Sequence, residues 1–401
     1  MLKYSFIRDW CQDVLDMGVR ELKLIFKDGG VLLIFFVAGL IYPLLYNVVY
    51  LNGLLEDTPV AVVDKAACPE SRRFAREVDA TREVEVAYRC TDMLEARQLL
   101  EERKVNGIFY FPDDFGQKLA RMETATVSVY CDMSSFLYYK NALMAANHVM
   151  LSELSQIQKE RYAAAGFTGQ EASALVQAVP YEENNPYNAT FSYSIFLLAA
   201  ILFVIIQQTM FYGMTLLAGT MREQKKSFAT LMENPYTHGI MRTVLGHGWA
   251  YWLIYMGIGI YISFIVPAIF GMPLRGQFFD ILLLILLYVT DCVYFCMTWS
   301  TFINKRETVF VLFLFLSPIC LFLTGSSWPY SAFPGFWKLF SYIFPSTFGA
   351  QAYINMSSAG GDLTAAQTQL TGLFIQTVFY FVTACVAVFL ENRHLKASAQ
   401  Q

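Results

Sequence analysis

Six long apolar segments divide this sequence, and a mostly polar stretch of about 140 residues separates the first segment from the second. An α-helix needs roughly 20 apolar residues to cross a bilayer, and each segment approaches or exceeds that length. The segments cover residues 31–50, 191–217, 249–270, 278–302, 308–325 and 369–390. The layout predicts a polytopic α-helical membrane protein with six transmembrane helices and an inserted domain, 51–190, after the first.

Composition supports a membrane protein. Hydrophobic residues make up 56% of the chain and charged residues 15%, against about 25% charged in an average soluble protein. The mean hydropathy is +0.40. The net charge of -4, without any basic block, argues against a nucleic-acid-binding protein.

The distribution of lysine and arginine predicts the orientation, because short cytoplasmic loops are enriched in these residues. With the N-terminus inside, the outer loops hold only Arg275 and Lys338, whereas the inner segments hold thirteen: Lys3, Arg8, Arg20, Lys23, Lys27, Arg222, Lys225, Lys226, Arg242, Lys305, Arg306, Arg393 and Lys396. We expect a bacterial cytoplasmic (inner) membrane protein with both termini, including the tail 391–401, in the cytoplasm and 51–190 outside. The first segment begins too late for a secretory signal and is expected to remain as an anchor.

The inserted domain has an alternating pattern of strands and helices. Short β-branched or alternating runs occur at 59–64, 84–88, 105–111 and 126–130, and helical patterns at 71–79, 91–104, 136–164 and 170–178. Strands that alternate with helices predict a small α/β domain with a largely parallel sheet, followed by long helices.

The first 30 residues precede the first span and show an amphipathic pattern. Phe6, Trp10, Val14 and Met17 fall on one helix face. This spacing predicts a helix that lies in the inner membrane interface, and an ordinary solvated helix is the alternative.

The loop 218–248 is too long for a hairpin turn and too polar to span the membrane. It begins with charged residues, continues with a short amphipathic piece around Leu231, and stops at Asn234-Pro235. A proline restrains the residue before it from helical geometry, so this pattern predicts a compact cytoplasmic helix that ends there.

The residues of this loop resemble the part of ABC-2 type exporter permeases that contacts the ATPase subunit. The matching elements are Gly219-Thr220, Arg222-Glu223, Thr230-Leu231-Met232, Asn234-Pro235 and Gly246. The chain departs from the family where Gly-Thr-Leu is preferred, because it has Phe228-Ala-Thr-Leu231. The resemblance implies a coupling helix whose contact residues are Arg222, Glu223, Gln224, Lys225, Lys226, Leu231, Asn234 and Pro235.

Two further regions resemble the same family in the same order. In the inserted domain these are Val62-Val63-Asp64, Ser71-Arg72, Glu95-Ala96 and the run Gly107–Phe115. Near the C-terminus they are the run Leu323–Pro334 and Phe344-Pro345. The resemblance covers nearly the whole chain and implies an ABC-2 (type V exporter-like) architecture with an extracytoplasmic domain between helices 1 and 2.

The segment 326–350 is too interrupted by proline to span the bilayer and too apolar for a free loop. Gly325 directly precedes it, Pro329, Pro334 and Pro345 lie within it, and aromatic residues lie between these four markers. We expect re-entrant helices in the outer leaflet, as in the family; a packed outer loop with interfacial aromatics fits the residues equally well.

The sequence lacks the residues of an ATPase or a metalloenzyme. It contains no Gly-x-x-x-x-Gly-Lys-Ser/Thr motif, and its four histidines are scattered. Any ATP with its Mg²⁺ is therefore expected in a separate partner chain, with no cofactor, metal site or catalytic residue in this one. Cys68, Cys90 and Cys131 in the inserted domain allow at most one disulfide among themselves, with unspecified partners.

Three polar residues within the apolar segments are candidates for a transport path. Asp291 lies near the middle of the fourth segment, where a carboxylate costs about 2.5–3.5 kcal/mol on insertion scales. A substrate path, a dimer contact, a proton site or a hydrogen-bonded structural role are all open for it. Gln207 and Gln208 are expected mainly to join helices by hydrogen bonds.

These observations favour the permease subunit of an ATP-driven exporter of hydrophobic or amphipathic substrates. We expect a cytoplasmic ABC ATPase subunit, a second permease copy (homodimer or paralogue heterodimer) and, in a two-membrane bacterium, a periplasmic membrane-fusion adaptor. One alternative is a secondary transporter that uses Asp291 for a proton or ion, although internal repeats are not evident. The other is a membrane-anchored docking protein without transport.

Overall fold

The computed structural model describes residues 2–50, 55–176, 193–224 and 239–399. The chain forms two compact units. One consists of Met1–Gly53 together with Asn185–Gln401, and the other is Leu54–Asn184.

The first unit is a bundle of long apolar helices. Within the described residues six are long and apolar enough to cross a membrane, and they are called the first to sixth spans: Gly29–Val49, Leu197–Glu223, Ile240–Ile269, Phe278–Ser300, Arg306–Leu323 and Gln367–Glu391. The most apolar 18 residues of the second span are all buried, whereas only 28% of the corresponding stretch of the first span and 18% of that of the fifth are buried. The second span is therefore the centre of the bundle, and the first and fifth lie at its periphery.

Several spans depart from regular α-helix. The first contains a π-helical turn, Leu33–Ala38, followed by Pro43, and the fifth contains Pro318. Proline lacks the N–H that an α-helix uses, so the backbone hydrogen-bond pattern of these spans is interrupted at these points. The side-chain amide of Asn47 donates to the Pro43 carbonyl at 2.7 Å. A second π-helical turn, Tyr261–Ile265, lies in the third span.

An N-terminal helix, Leu2–Ile25, packs against the third span. Met17 from the predicted amphipathic face is buried, and a Cβ added to Gly246 would lie 2.7 Å from its side chain. The Trp249 indole donates to the Val14 carbonyl at 2.8 Å. Part of the helix face that the sequence predicts to lie in the membrane interface thus packs against the third span. The Phe6 side chain, on the same predicted face, lies outside the described residues.

Short helices follow the fifth span, and each begins at a proline or directly after one. The span ends at Leu323 with Thr324 as its C-cap, and Gly325 turns the chain with a φ of +82°, a conformation that favours glycine. Pro329 and Pro334 precede a short 3₁₀ turn, Tyr330–Ala332, and a helix, Gly335–Ser341. Pro345 opens the helix Pro345–Ser357, called the inserted helix, which packs against the second, fourth and sixth spans. Proline suits these positions because the first helical N–H needs no intrahelical partner.

The second unit contains a four-stranded sheet. Its strands are β1 Thr58–Asp64, β2 Val84–Cys90, β3 Gly107–Phe111 and β4 Ser128–Cys131, in the order β2-β1-β3-β4. β1 pairs in parallel with β2 and β3, and β3 pairs antiparallel with β4. The helices are α1 Pro69–Asp79, α2 Met93–Glu101, α3 Phe115–Ala120, α4 Phe136–Ala164 and α5 Gly169–Val176.

Both faces of the sheet carry a hydrophobic core. Val60 and Phe109 pack with residues of α1 and α4 on one face, and Ala61 and Ile108 pack with α2 on the other. Strands buried on both faces read as continuous apolar runs, as β1 does. A bidentate ion pair joins α1 to α4: Arg73 donates to the Glu153 carboxylate at 2.7 and 2.6 Å.

Candidate functional site

A cavity of about 480 Å³ lies among the first, second and fifth spans. This volume falls in the range of small-molecule sites. Its wall is almost entirely apolar, and its residues come from the π-helical turn and Pro43 region of the first span, the middle of the second, and the Pro318 region of the fifth: Leu33, Ile34, Ala38, Tyr42, Tyr46, Ile201, Val204, Ile205, Gln208, Thr209, Tyr212, Leu216, Val309, Phe310, Ser317, Pro318 and Leu321. The π-helical turn of the first span and Pro318 of the fifth therefore form part of the cavity wall.

The cavity reaches the surface of the bundle between the first and fifth spans. Leu33, Tyr42 and Phe310 line it, and all three are also exposed. A hydrophobic molecule could enter from this side without displacing the second span, whose buried face forms the back wall.

Gln208 is the amide in the cavity wall. It is buried, and within the described part of the chain neither its carbonyl nor its amino group has a hydrogen-bond partner. The thiol of Cys320, which is only a weak donor and acceptor, lies nearby without forming a hydrogen bond of normal geometry. Leaving a buried polar group unsatisfied costs about 1–3 kcal/mol, so a ligand with a donor or acceptor would gain by binding there.

Gln207, the adjacent residue, has a different role. Its carbonyl oxygen accepts a hydrogen bond of 2.6 Å from the backbone N–H of Ser346, and its amino group contacts the Cys320 sulfur at 3.7 Å. Because the first N–H groups of a helix lack intrahelical partners, Gln207 acts as a cap for the inserted helix. It connects the second span to the inserted helix and to the fifth span.

Asp291 is fully buried on the fourth span and lies outside the cavity wall. Its surroundings include Tyr288, Cys296 and Tyr380. Neither carboxylate oxygen has a hydrogen-bond partner among the described residues. The structure therefore separates Asp291 from Gln208, although the sequence grouped them as one set of candidates.

At one end of the bundle, called the polar end, two arginines join several spans. Arg306 donates to the Asp28 carboxylate at 3.0 Å and to the Thr220 hydroxyl at 2.9 Å, and its backbone N–H donates to Glu223 at 2.8 Å. Asp28 also caps the first span, because its side chain accepts from the N–H groups of Gly30 and Val31. Arg306 thus links the beginnings of the first and fifth spans to the end of the second.

Arg222 makes the second set of links. Its guanidinium is only 15% exposed, and it donates to the carbonyls of Ser300 and Ile303 and to the Glu391 carboxylate. A cation is favourable beside the free carbonyls at a helix C-terminus. Arg222 therefore connects the end of the second span to the end of the fourth and to the sixth.

Two of the residues that make these contacts, Arg222 and Glu223, are among those predicted to contact an ATPase subunit. Arg222 and Glu223 bind other spans of this chain, and Gln224 ends the described segment. The others, Lys225, Lys226, Leu231, Asn234 and Pro235, lie outside the described residues. The described part of this segment is therefore the attachment of the loop to the bundle.

A third polar cluster joins the N-terminal helix to the third span. The Tyr251 hydroxyl donates to the Glu21 carboxylate at 2.5 Å, and His247 Nδ1 lies 3.0 Å from the other oxygen. Glu21 is completely buried. His247 also lines a cavity of about 20 Å³ together with Glu391, so this cluster and the Arg222 contacts border the same small space.

Sequence reasoning missed the Arg306–Asp28 and Glu21–His247 contacts and the cavity itself. The available signal was the presence of ionisable residues, such as Glu21 and His247, within otherwise apolar helix faces.

The four marker residues Gly325, Pro329, Pro334 and Pro345 all lie at helix boundaries of the segment after the fifth span. Within the described residues no group of three or more histidine, cysteine or acidic side chains could hold a metal ion.

A family model described as ABC-2 family transporter protein matches residues 30–386. This range includes the second to fifth spans, nearly all of the first and sixth spans, the second unit and the cavity. A comparison with curated proteins gave no match.

Proposed function

The chain belongs to the ABC-2 family of transporter proteins, and from that premise we propose that it is the permease subunit of an ATP-driven exporter. It moves a hydrophobic or amphipathic substrate from the cytoplasm or inner leaflet outwards. ATP with Mg²⁺ binds to a separate cytoplasmic ABC ATPase subunit. In this proposal the permease itself supplies the path and catalyses no reaction.

The observation that carries the proposal is the cavity among the first, second and fifth spans. Its wall is apolar, it reaches the bundle surface at Leu33 and Phe310, and it contains the unsatisfied amide of Gln208. Binding sites for small molecules combine such apolar walls with a few polar groups that fix orientation. This chemistry suits a lipid-like or drug-like molecule with one hydrogen-bonding group.

The polar end supports the proposed route of energy transfer. The segment 225–238 follows directly after Arg222 and Glu223, which bind the fourth, fifth and sixth spans. A movement of that segment by an ATPase would therefore pull on several spans at once. Lys225, Lys226, Leu231, Asn234 and Pro235 are the proposed contact residues.

Topology and partners complete the proposal. The polar end faces the cytoplasm, both termini are cytoplasmic, and residues 51–190 are extracytoplasmic, with re-entrant helices of 326–350 in the outer leaflet. Two permease copies, identical or paralogous, enclose the path, because within one copy the cavity reaches the bundle surface at Leu33 and Phe310. A periplasmic membrane-fusion adaptor is a further candidate partner of the outer unit.

The test is co-purification of the full chain with an ABC ATPase subunit from the same genome, followed by measurement of their affinity. A Lys225→Ala/Lys226→Ala variant should weaken the complex at least tenfold, a loss of about 1.4 kcal/mol. Lys23→Ala/Lys27→Ala removes the same charge from two exposed positions, one in the last turn of the N-terminal helix and one just after it, and should leave the affinity unchanged. If neither the native chain nor either variant associates with the ATPase, the proposal is wrong.

A secondary transporter remains the second candidate because of Asp291, whose buried carboxylate has no hydrogen-bond partner among the described residues. Buried carboxylates within spans serve as proton sites in pumps and transporters. Transport of this kind would continue without any ATPase and stop in Asp291→Asn. A docking protein would show transport under neither condition.

A further inference from the structure

Four polar side chains lie close to one level of the cavity wall. Gln208, Thr209 and Tyr212 come from one turn of the second span, and Ser317 comes from the fifth. The Thr209 hydroxyl donates to the Ile205 carbonyl at 2.7 Å, and the hydroxyls of Tyr212 and Ser317 bond to each other at 3.2 Å. The hydroxyls thus have partners within the chain, and the Gln208 amide is left for a ligand.

Gln208 offers both a donor and an acceptor to the cavity. Its side chain is buried, with 4% exposed, and neither its carbonyl oxygen nor its amino group has a hydrogen-bond partner within the described residues. Gln207 differs, because its carbonyl oxygen accepts from the Ser346 N–H. A ligand group that itself donates and accepts, such as a carboxamide or a hydroxyl, would satisfy both ends of the Gln208 amide. A purely apolar ligand would satisfy neither.

The cavity wall carries no charge. Among the described residues that line it, none is an aspartate, glutamate, lysine, arginine or histidine. Asp291 lies outside this wall, and at the polar end Arg306 and Asp28 bind each other at 3.0 Å. A charged ligand would therefore leave water without gaining a counter-charge, which costs far more free energy than burying a neutral group that is hydrogen-bonded.

The opening of the cavity selects for the same property. The large exposed side chains beside it are apolar, with Val37 and Ile41 on the first span and Leu314 and Phe315 on the fifth. A molecule that enters between these spans comes from the hydrocarbon part of the bilayer, where a charge is costly. Uncharged molecules are therefore favoured during entry as well as during binding.

The position of Gln208 indicates where the ligand carries its polar group. The wall residues of the second span extend from Ile201 to Leu216, a distance of about 22 Å at 1.5 Å per residue. Gln208 lies near the middle of this stretch, and Ile201, Val204 and Leu216 provide apolar wall on both sides of it. A ligand that fills the cavity thus has apolar parts on both sides of its hydrogen-bonding group.

We propose that the cavity binds uncharged apolar molecules with a carboxamide or hydroxyl group part-way along their length, and that Gln208 selects them by exchanging hydrogen bonds with that group. The inference rests on the proposed function, because it names the substrate class of the same cavity. It excludes organic cations and carboxylates, although both are amphipathic.

Competition for a photoreactive probe tests this selectivity on the full chain, purified in nanodiscs with its ABC ATPase subunit. The probe is tritiated N-butyl-benzoylbenzamide, an uncharged benzophenone amide. Three competitors share one skeleton: N-butylbenzamide is an uncharged amide, N-butylbenzylamine is a cation at neutral pH, and hexylbenzene is apolar. A carboxylate, para-pentylbenzoate, completes the series. The concentration of each competitor in nanodisc lipid, measured without protein, serves as the scale.

We expect the label on the first, second and fifth spans. N-butylbenzamide should displace it at least tenfold more effectively than the cation or the carboxylate, and at least fivefold more effectively than hexylbenzene. Gln208→Leu should reduce the preference over hexylbenzene to less than twofold. Thr215→Val is the matched control, because it removes a buried hydroxyl from the same span outside the cavity wall, and it should keep the native preference.

A cation or carboxylate that displaces the label as well as the amide does overturns the inference, and so does an unchanged preference in Gln208→Leu. ATP hydrolysis by the same preparations separates this failure from failure of the proposed function. Selective binding of the amide by a chain that neither retains the ATPase subunit nor stimulates its hydrolysis keeps the neutral site and contradicts the exporter. Stimulation by the cation, with equal displacement, keeps the exporter and contradicts the neutral site. Labelling outside the three spans also overturns the inference.

Discussion

Arg306 donates a hydrogen bond to Asp28 across 3.0 Å and thereby joins the first turn of the fifth span to the cap of the first. The fit is close, because a Cβ added to Gly30 would lie 2.5 Å from the Arg306 guanidinium. The two peripheral spans that wall the cavity are thus connected at the polar end. The same arginine also binds Thr220 of the central second span.

The first prediction concerns this connection. Arg306→Ala should destabilise the purified chain by about 1–2 kcal/mol, since a hydrogen bond to a charged group contributes about 1.5–3 kcal/mol and this one is partly exposed. Lys305→Ala, at the exposed neighbouring position, should change stability by less than about 0.5 kcal/mol. Denaturant titration in detergent measures both. Equal effects of the two variants would show that the Asp28 contact contributes little.

The second prediction distinguishes the adjacent glutamines. Gln207→Leu leaves the Ser346 N–H buried without its acceptor and should lower stability by about 1–3 kcal/mol. Gln208→Leu removes an amide that has no hydrogen-bond partner among the described residues, so stability should stay equal or rise. Melting temperatures of the two variants in the same detergent provide the comparison. The assignment is wrong if Gln208→Leu is the more destabilising variant.

The third prediction concerns the contact between the first and second spans. A Cβ on Gly213 would lie 1.9 Å from the Phe35 ring, which is fully buried and packs edge-on against Tyr251 and Tyr255. Gly213→Ala should therefore cost about 1–3 kcal/mol through overpacking. Gly257→Ala is the control, because nothing lies within 4 Å of its added Cβ, and it should change stability by no more than about 0.5 kcal/mol. Similar losses in both variants would contradict this close packing.

The fourth prediction is a pH dependence in the second unit. Burial, and then the neighbouring Glu153, raise the pKa of Glu77 above its usual value of 4.5. Because its pKa is raised in the folded state, Glu77 holds its proton more tightly there than in the unfolded chain. The stability that this proton contributes is fully present below about pH 4.5, and it is lost as the pH rises through the folded-state pKa. Glu77→Gln should therefore raise the melting temperature of the second unit at pH 7.5 and have little effect at pH 4.

Melting of the full chain at both pH values, followed by limited proteolysis of the second unit, measures this difference. Asp79→Asn is the control, since Asp79 is exposed and lies on the same helix. A gain of the same size at pH 4 and pH 7.5 would show that charge at Glu77 is not the cause.

The sequence predicted the spans because their signal is local. A run of about 20 apolar residues has no other common explanation, and the prolines Pro329, Pro334 and Pro345 mark helix starts for an equally local reason. β4 is different: the alternating run 126–130 predicts a strand, whereas the antiparallel pairing of β4 with β3 depends on the path of the chain between them. The sequence pattern therefore indicates a strand without indicating its direction.

The functional residues depended on long-range contacts that no spacing encodes. Arg222 looks like a loop cation in the sequence, whereas its partner Glu391 lies 169 residues away. Gln207 and Gln208 are adjacent and chemically identical, and only the position of Ser346 distinguishes them. The cavity likewise needs three spans that are far apart in the sequence, so its existence required the structure.

ATP-dependent export from proteoliposomes that contain the full chain and its ATPase is the most direct test of the proposed function. With a fluorescent hydrophobic probe, we predict export that requires ATP, falls at least tenfold when Ala38→Trp fills the cavity, and persists in Asp291→Asn. Export driven by a proton gradient without the ATPase, unaffected by Ala38→Trp and lost in Asp291→Asn, would contradict the account.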